Sequence, residues 1–505
     1  MSFAKVFAAE TSLLDAHIID VEVDLSRGLH SFSLVGLAGK AVDESKDRVA
    51  AAIKNTGFTS PKQHNQKIVV SLAPAELKKE GPLFDIAIAL AYLLAEEEVS
   101  FNPEKKLFIG ELSLDGKVRP VRGALRIAQK AQEAGFEELY VPKENTKEAG
   151  LVSGISVYGI ETLRELLDHL AGKSPLTPVE QTPFEENLTS HNISFEDVRG
   201  QDVAKRALEI AAAGGHNVAL YGPAGTGKSM LAKAFCTILP PLTYEDALEV
   251  TAIHSVAGAL KDAYITTAPF RSPHHTSSHV SLIGGGSIPK PGEVTLAHKG
   301  VLFLDEFPEF DRRVIDSLRQ PLEDGMVSIS RAKGSAQFPA NFTLVAALNP
   351  PSETIGQGVF TSERDLEKFR RKLSKPIVDR IDLWSEVAKV DHTVLSGEKT
   401  GRTSEEIRGK VLHARNLQQK RFKDLPHVHT NSDMSSREIE QLIVLPENIQ
   451  TTLNASAEKL ELSPRSYHKI IKLMRTIADL EGSEQLQENH LFEALQYRPK
   501  KELFE

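Results

Sequence analysis

Cysteine is almost missing from this sequence: Cys236 is the only one in 505 residues. An intrachain disulfide is thereby excluded, as is any zinc site built from several thiolates. Long apolar runs are missing too. The longest, within FDIAIALAYLLAEEE, extends over about 11 residues, short of the ~20 that cross a bilayer, and predicts a buried helix. The opening residues, MSFAKVFAAETSLLD, show no basic stretch followed by an apolar one, so no secretory leader is expected. Positive charge is not in excess. A formal net charge of -9 argues against a surface that adheres to nucleic acid everywhere, although it leaves room for a basic strip along a channel. No internal repeat or low-complexity segment stands out. What remains is a globular composition, 41% hydrophobic and 26% charged, with enough length for roughly two to four domains. A cytoplasmic location with no membrane partner is expected.

Three regions follow from the pattern along the chain. Residues 1–170 mix strand-like segments (LHSFSLVGL, KIVVSLAP) with helical periodicity (VDESKDRVAAAIKNTG, ALRIAQKAQEAG, IETLRELLDHL). The segment FIGELSLDGKVRPV predicts a hairpin turning at Asp115-Gly116. Such a mixture implies an α/β or α+β domain with its own core. Residues 171–190 hold three prolines, little apolar pattern, and the character of a linker. Residues 191–385 then predict an α/β core, and residues 386–505 a helical domain.

The core carries a phosphate-binding signature. Gly222, Pro223, Ala224, Gly225, Thr226, Gly227, Lys228 and Ser229 match G-x-x-x-x-G-K-[ST], after the apolar strand VALY and before the helix SMLAKAFCTIL. Glycines let successive N–H groups face phosphate oxygens, and the helix N-terminus adds unpaired donors. These residues are the expected ATP cradle, with Lys228 on the β- and γ-phosphates and Ser229 on Mg²⁺. In GVLFLDEFPEF a buried-strand pattern ends at Asp305-Glu306. Asp305 is expected to hold Mg²⁺ and Glu306 to polarise the attacking water. FTLVAALNP places Asn349 at a third strand end, suited to positioning that water. Arg380, after a short helical segment in PIVDRIDLW, and Arg465, starting a helix in LSPRSYHKI, offer fixed donor forks for transition-state charge.

Together, YGPAGTGKS, HHTSSHVSLIGGGSIPKPGEVTLAHKGVLFLDEFPEF, VAALNP, LSKPIVDRIDL and LSPRSYHKIIKLMRTIADL resemble the magnesium-chelatase-like AAA+ ATPases, more closely their ComM/YifB branch. AHIIDVEVDLSRGLHSFSLVGL and VVSLAPAELKKEGPLFDIAIALAYL extend the resemblance to the front of the chain. It implies a Lon-protease-like N-terminal α/β domain, an AAA+ P-loop NTPase core and a C-terminal helical lid. It also implies that Asn349 is the first sensor, Arg380 an arginine finger acting across a subunit boundary, and Arg465 the second sensor arginine. A finger in trans implies a homo-oligomeric ring, a hexamer in this family. The resemblance further implies ATP- and Mg²⁺-dependent branch migration or helicase action on single-stranded or branched DNA, in natural transformation or recombination. A protein-remodelling ATPase and a magnesium-chelatase motor subunit are the alternatives.

Two features depart from the resemblance. Lon-type proteases place a serine where KKEGPLFD has Leu83, and a lysine near the position of Leu125; leucine supplies neither nucleophile nor base, so no peptidase activity is expected. The CPCG element that many members carry after the asparagine-proline is replaced by NPPSETIGQGVF, which has no cysteine. For the substrate, the segment EDGMVSISRAKGSAQFPANFT predicts a hairpin with Arg331 and Lys333 as DNA-contact candidates. The glycine-hinged segment around Gly284–Gly286 adds Lys290 and Lys299. Its histidines, His274, His275, His279 and His298, have no complementary cysteine or carboxylate spacing and do not predict a metal site.

Overall fold

The computed structural model describes residues 3–37, 39–79, 81–184, 193–286, 290–331, 334–349, 363–391 and 401–500. The chain forms two compact units, one of residues 1–185 with 244–265, the other of residues 186–243 with 266–505.

The first unit is built on a seven-stranded mixed sheet. Its strands are β1 (Phe3–Ser12), β2 (Asp15–Arg27), β3 (Ser31–Val35), β4 (Gln66–Ala73), β5 (Lys106–Phe108), β8 (Glu138–Pro142) and β9 (Ser156–Ile160). They lie in the order β3-β4-β2-β1-β5-β8-β9, and β6 (Glu111–Leu112) pairs with β7 (Val118–Arg119) around Asp115-Gly116 as a separate hairpin. Strand β2 buries Ile19, Val21, Val23 and Leu25 in period-two alternation, against the wholly apolar body of helix Asp85–Ala95. The one acidic group of that helix, Asp85, is buried. Arg48 Nε donates to its Oδ2 at 2.8 Å, and burial still holds the carboxyl above its usual range.

Residues 244–265 join this unit although the chain on either side belongs to the other. Leu242 N donates to Thr266 O at 3.0 Å, closing the neck of the excursion. Its helix, Tyr244–Ala257, brings Ala252 against Leu125 and Leu151, and Tyr244 Oη donates to Leu151 O at 2.6 Å. Ser255 Oγ accepts from Gly123 N at 2.8 Å, where helix Ala124–Glu133 begins. The same hydroxyl bonds buried Glu148, whose carboxylate accepts from Leu125 N at 3.0 Å.

The second unit has a five-stranded parallel sheet ordered β11-β14-β17-β10-β18. These strands are β10 (Val218–Tyr221), β11 (Phe270–Arg271), β14 (Val301–Leu304), β17 (Thr343–Leu348) and β18 (Leu383–Glu386). Every residue of β10 and β14 is buried, as expected for central parallel strands. Two small hairpins leave the sheet: β12 (Gly284–Gly285) with β13 (Lys290–Pro291), and β15 (Met326–Arg331) with β16 (Gly334–Pro339).

Helices Ser404–Arg421 and Pro464–Glu481 pack on helix Asp202–Gly214 through a buried polar network. Arg421 meets Asp479 through two bonds of 2.6 and 2.9 Å, Gln418 Nε2 donates to Ala213 O at 2.9 Å, and His216 Nε2 lies 2.9 Å from Thr476 Oγ1. Such networks are favourable only when each member is satisfied, which fixes the helical region in one register on the core. No described helix is long and apolar enough to cross a membrane.

Candidate nucleotide site and the arginine cavity

Parallel strands end at one edge, and three of them run here into a glycine, an aspartate and an asparagine. Gly222 follows β10, Asp305 follows β14 and Asn349 follows β17, which lies between the other two. No side chain fits at Gly222, because a Cβ there would lie 2.2 Å from Val387 O. Gly227, at φ 94°, turns the loop into helix Lys228–Phe235 with open space above it. Gln201 braces the loop from outside, donating to Thr226 O at 3.2 Å and Ala388 O at 2.7 Å.

Lys228 is buried and curls over the loop, donating to Gly222 O at 2.8 Å and Pro223 O at 2.7 Å. Ser229 Oγ donates to Asp305 Oδ2 at 2.8 Å. A hydroxyl paired to a carboxylate beside a lysine and a row of loop N–H groups fits a divalent cation held next to phosphates. Glu306 starts the following turn with φ 51° and donates its own N–H to Asp305 Oδ1 at 2.9 Å. Its carboxylate meets His275: Nδ1 lies 3.0 Å from Oε2, and the His275 ring packs on His274 with centroids 4.2 Å apart. The sequence offered His275 only as part of a histidine-rich loop; the fold carries that loop from β11 alongside β14.

Arg380 and Arg465 are not at this edge. Both line a cavity of about 770 Å³ together with Asn217, Phe342 and Asp382. Those three residues precede β10, β17 and β18, so the cavity opens at the opposite end of the sheet from Gly222, Asp305 and Asn349. A four-residue strand alone separates the two ends by about 13 Å. Both arginines converge on Glu323: Arg380 Nη2 pairs with Oε2, and Arg465 Nη1 lies 4.0 Å from Oε1. Arg380 Nη1 donates to Pro376 O at 2.8 Å, while its Nε is buried with no hydrogen-bond partner among the described residues. Behind them, burial would raise the Asp382 carboxyl, but Lys469, His216 and Lys472 together hold it well below the usual range. Burial in turn pushes the Lys469 and Lys472 ammonium groups down.

The substrate-contact candidates separate similarly. Lys290 is exposed on β13. Lys299 stands in a left-handed turn (φ 58°) ahead of β14, its N–H donating to Asn341 O at 2.5 Å. Arg331 ends β15, with its backbone paired to Gly334. Lys333 lies outside the described residues, as do residues 350–360 of the cysteine-free run.

A strand, a glycine loop and a helix bearing Lys228-Ser229, faced by Asp305-Glu306, define a P-loop NTPase. Three family models cover most of the chain: magnesium chelatase, subunit ChlI, over residues 194–395; subunit ChlI of Mg-chelatase over 21–145; and the ChlI C-terminal region over 401–498. Competence protein ComM of Haemophilus influenzae is 42% identical over 507 aligned residues, spanning 99% of this chain and 98% of that protein. The uncharacterized protein YifB of Escherichia coli is 40% identical over 504, spanning 99% and 97%. The magnesium-chelatase 67 kDa subunit of Chlorobaculum parvum is 31% identical over 173 residues, 33% of this chain and 25% of that one. The chain belongs to the magnesium-chelatase-like AAA+ family, in its ComM/YifB branch. That membership implies nucleotide and Mg²⁺ use and an ATPase assembled as an oligomer.

Proposed function

We propose that this chain is one subunit of a hexameric ring that hydrolyses ATP to drive branch migration or strand separation of branched DNA. One observation carries the reading: the phosphate-loop residues and the two arginines stand at opposite ends of one sheet. The phosphate loop with Asp305 and Glu306 is at one end, and Arg380 with Arg465 is at the other. A subunit so built completes a site only against a neighbour, and repeating that head-to-tail contact closes a ring.

In this reading Lys228 leaves the loop carbonyls for the β- and γ-phosphates, and the glycine loop's N–H groups hold the remaining oxygens. Ser229 and Asp305 would hold Mg²⁺, which would supply neutralisation of phosphate charge when bound. Glu306 polarises the water and Asn349 positions it. Arg380 of the adjoining subunit meets charge developing on the transferred group, with Arg465 beside it. The front unit, with Leu83 and Leu125 in place of a nucleophile and base, serves assembly or substrate contact. Residues 1–170, 171–190, 191–385 and 386–505 divide the labour as front domain, linker, ATPase core and lid.

DNA as the load is supported by the 42% identical relative named for competence, and by exposed Lys290 on a hairpin. Magnesium insertion draws less support, since the match to the 67 kDa chelatase subunit covers a third of the chain.

The test is ATPase rate with single-stranded, duplex and four-way DNA, paired with movement of the four-way junction. Four-way DNA is expected to stimulate hydrolysis, and the junction to move only with ATP. Glu306→Gln is expected to bind ATP yet lose turnover about 10²–10⁴-fold, the usual contribution of a general base. No stimulation and no junction movement by the wild type contradicts the DNA reading and favours protein remodelling.

A further inference from the structure

Glu323 has no part in the phosphate site, yet it is the group on which both cavity arginines converge. It is an anion occupying the end of two donor forks that, in a ring, face a neighbour's phosphate. Its place in the chain matters as much. Glu323 lies in the last turn of helix Arg319–Asp324, and β15 of the hairpin begins at Met326. Both roots of that hairpin, Gly325 and Asn341, line the same cavity, and Ala340 N donates to Gly325 O at 2.7 Å across the roots. Glu323 thus lies two residues before the hairpin root at Gly325.

Taking Arg380 and Arg465 to serve a neighbour's nucleotide, we propose that Glu323 is a positioning residue that latches both arginines until the hairpin root moves. The carboxylate mimics the phosphoryl oxygens: it pairs with Arg380 Nη2 and stands 4.0 Å from Arg465 Nη1. With 53% of its side chain exposed against 10% for Arg380, the glutamate is the member free to leave. Departure strands Arg380, whose Nε already has no described partner, and a second anion becomes the favourable replacement. The open, half-exposed glutamate side of the pair leaves it partly screened by water, so its effect on rate is modest.

The experiment compares basal ATPase, without DNA, in the full chain and its Glu323→Gln, Arg380→Ala and doubly substituted forms. Ring formation and melting temperature are recorded for each. Glu323→Gln is expected to raise the basal rate about two- to fivefold, the size one partly exposed ion pair holds back. The double variant is expected to be as inactive as Arg380→Ala, and the gain of Glu323→Gln is expected with ring formation and melting temperature unchanged, which loss of a merely structural glutamate would not give. If Arg380→Ala alone keeps the wild-type rate, the assignment of that arginine to catalysis fails. If Arg380→Ala is inactive but Glu323→Gln stays at or below the wild-type rate, the latch fails by itself. Should Glu323→Gln not assemble, amide exchange in the wild type decides. Residues 319–326 are expected to exchange faster with a non-hydrolysable ATP analogue bound, and unchanged exchange contradicts the latch.

Discussion

Glu306 sits at a left-handed φ of 51°, with His275 Nδ1 3.0 Å from its carboxylate. In the role proposed for it, Glu306 polarises one water, which needs a fixed rotamer, and a charge-assisted contact supplies it. His275→Ala is expected to lower kcat about tenfold with KM for ATP unchanged, the cost of one hydrogen bond to a charged group. His275→Gln, which keeps a donor, should retain most of the rate. A fall in both parameters, or no change with alanine, would remove His275 from the reaction. The places of Lys228, Ser229, Asp305 and Asn349 were legible in the sequence, because Asp305 and Asn349 each follow an apolar run long enough to mark a strand end, and Lys228 and Ser229 close a glycine-rich loop behind such a run. His275 was not legible as a partner of Glu306: its strand, β11, has two residues, and its loop reads as a hydroxyl- and histidine-rich insertion. Gln201 was hidden for the same reason, since its contacts to Thr226 and Ala388 are made by folding rather than spacing.

At the scale of elements, the excursion 244–265 is the feature that periodicity could not announce. Its helix, Tyr244–Ala257, has buried residues without a clean one-sided stripe, and nothing local tells which unit it joins. The partner surface decides: Ser255 closes on Gly123 N and Glu148, and Ala252 on Leu125 and Leu151. Burial raises the Glu148 carboxyl above its ordinary 4.5, against hydrogen bonds from Ser255, Leu125 N and Asn145. The folded state therefore binds the proton more tightly than the unfolded one. Its contribution to stability is complete below 4.5 and is lost as pH rises through the raised value. Glu148→Gln should flatten this part of the curve, measured as urea midpoints from below pH 4.5 upward. A variant whose midpoint falls as steeply as the wild type's would show that Glu148 is not the titrating group. Strands β1 and β2 teach a related lesson. The alternation Ile19, Val21, Val23, Leu25 was present in the sequence, but β1 is mostly alanine and small polar residues toward its end, and gives little pattern alone.

At the scale of the whole molecule, the sequence names the residues of the proposed phosphoryl-transfer site without their arrangement. Arg380 follows helix Lys375–Val378 and Arg465 opens helix Pro464–Glu481, as their local patterns predict. Spacing does not tell that both come to the end of the sheet remote from Lys228, because that depends on where β18 and the helical region pack. Asn217 ties this corner together, with Nδ2 donating to Arg380 O at 3.1 Å and Oδ1 accepting from Leu344 N at 2.8 Å. The central claim is that each chain's arginines complete the next chain's site. Its most direct measurement is ATPase activity of Lys228→Ala and Arg380→Ala proteins, each alone and then mixed with subunit exchange. Each alone is predicted to be inactive while still forming rings. Mixing is predicted to restore hydrolysis, because about a quarter of the interfaces in a randomly mixed closed ring pair an intact phosphate loop with an intact arginine. Mixed rings that stay as inactive as their parents, with subunit exchange demonstrated, would contradict a site shared between subunits.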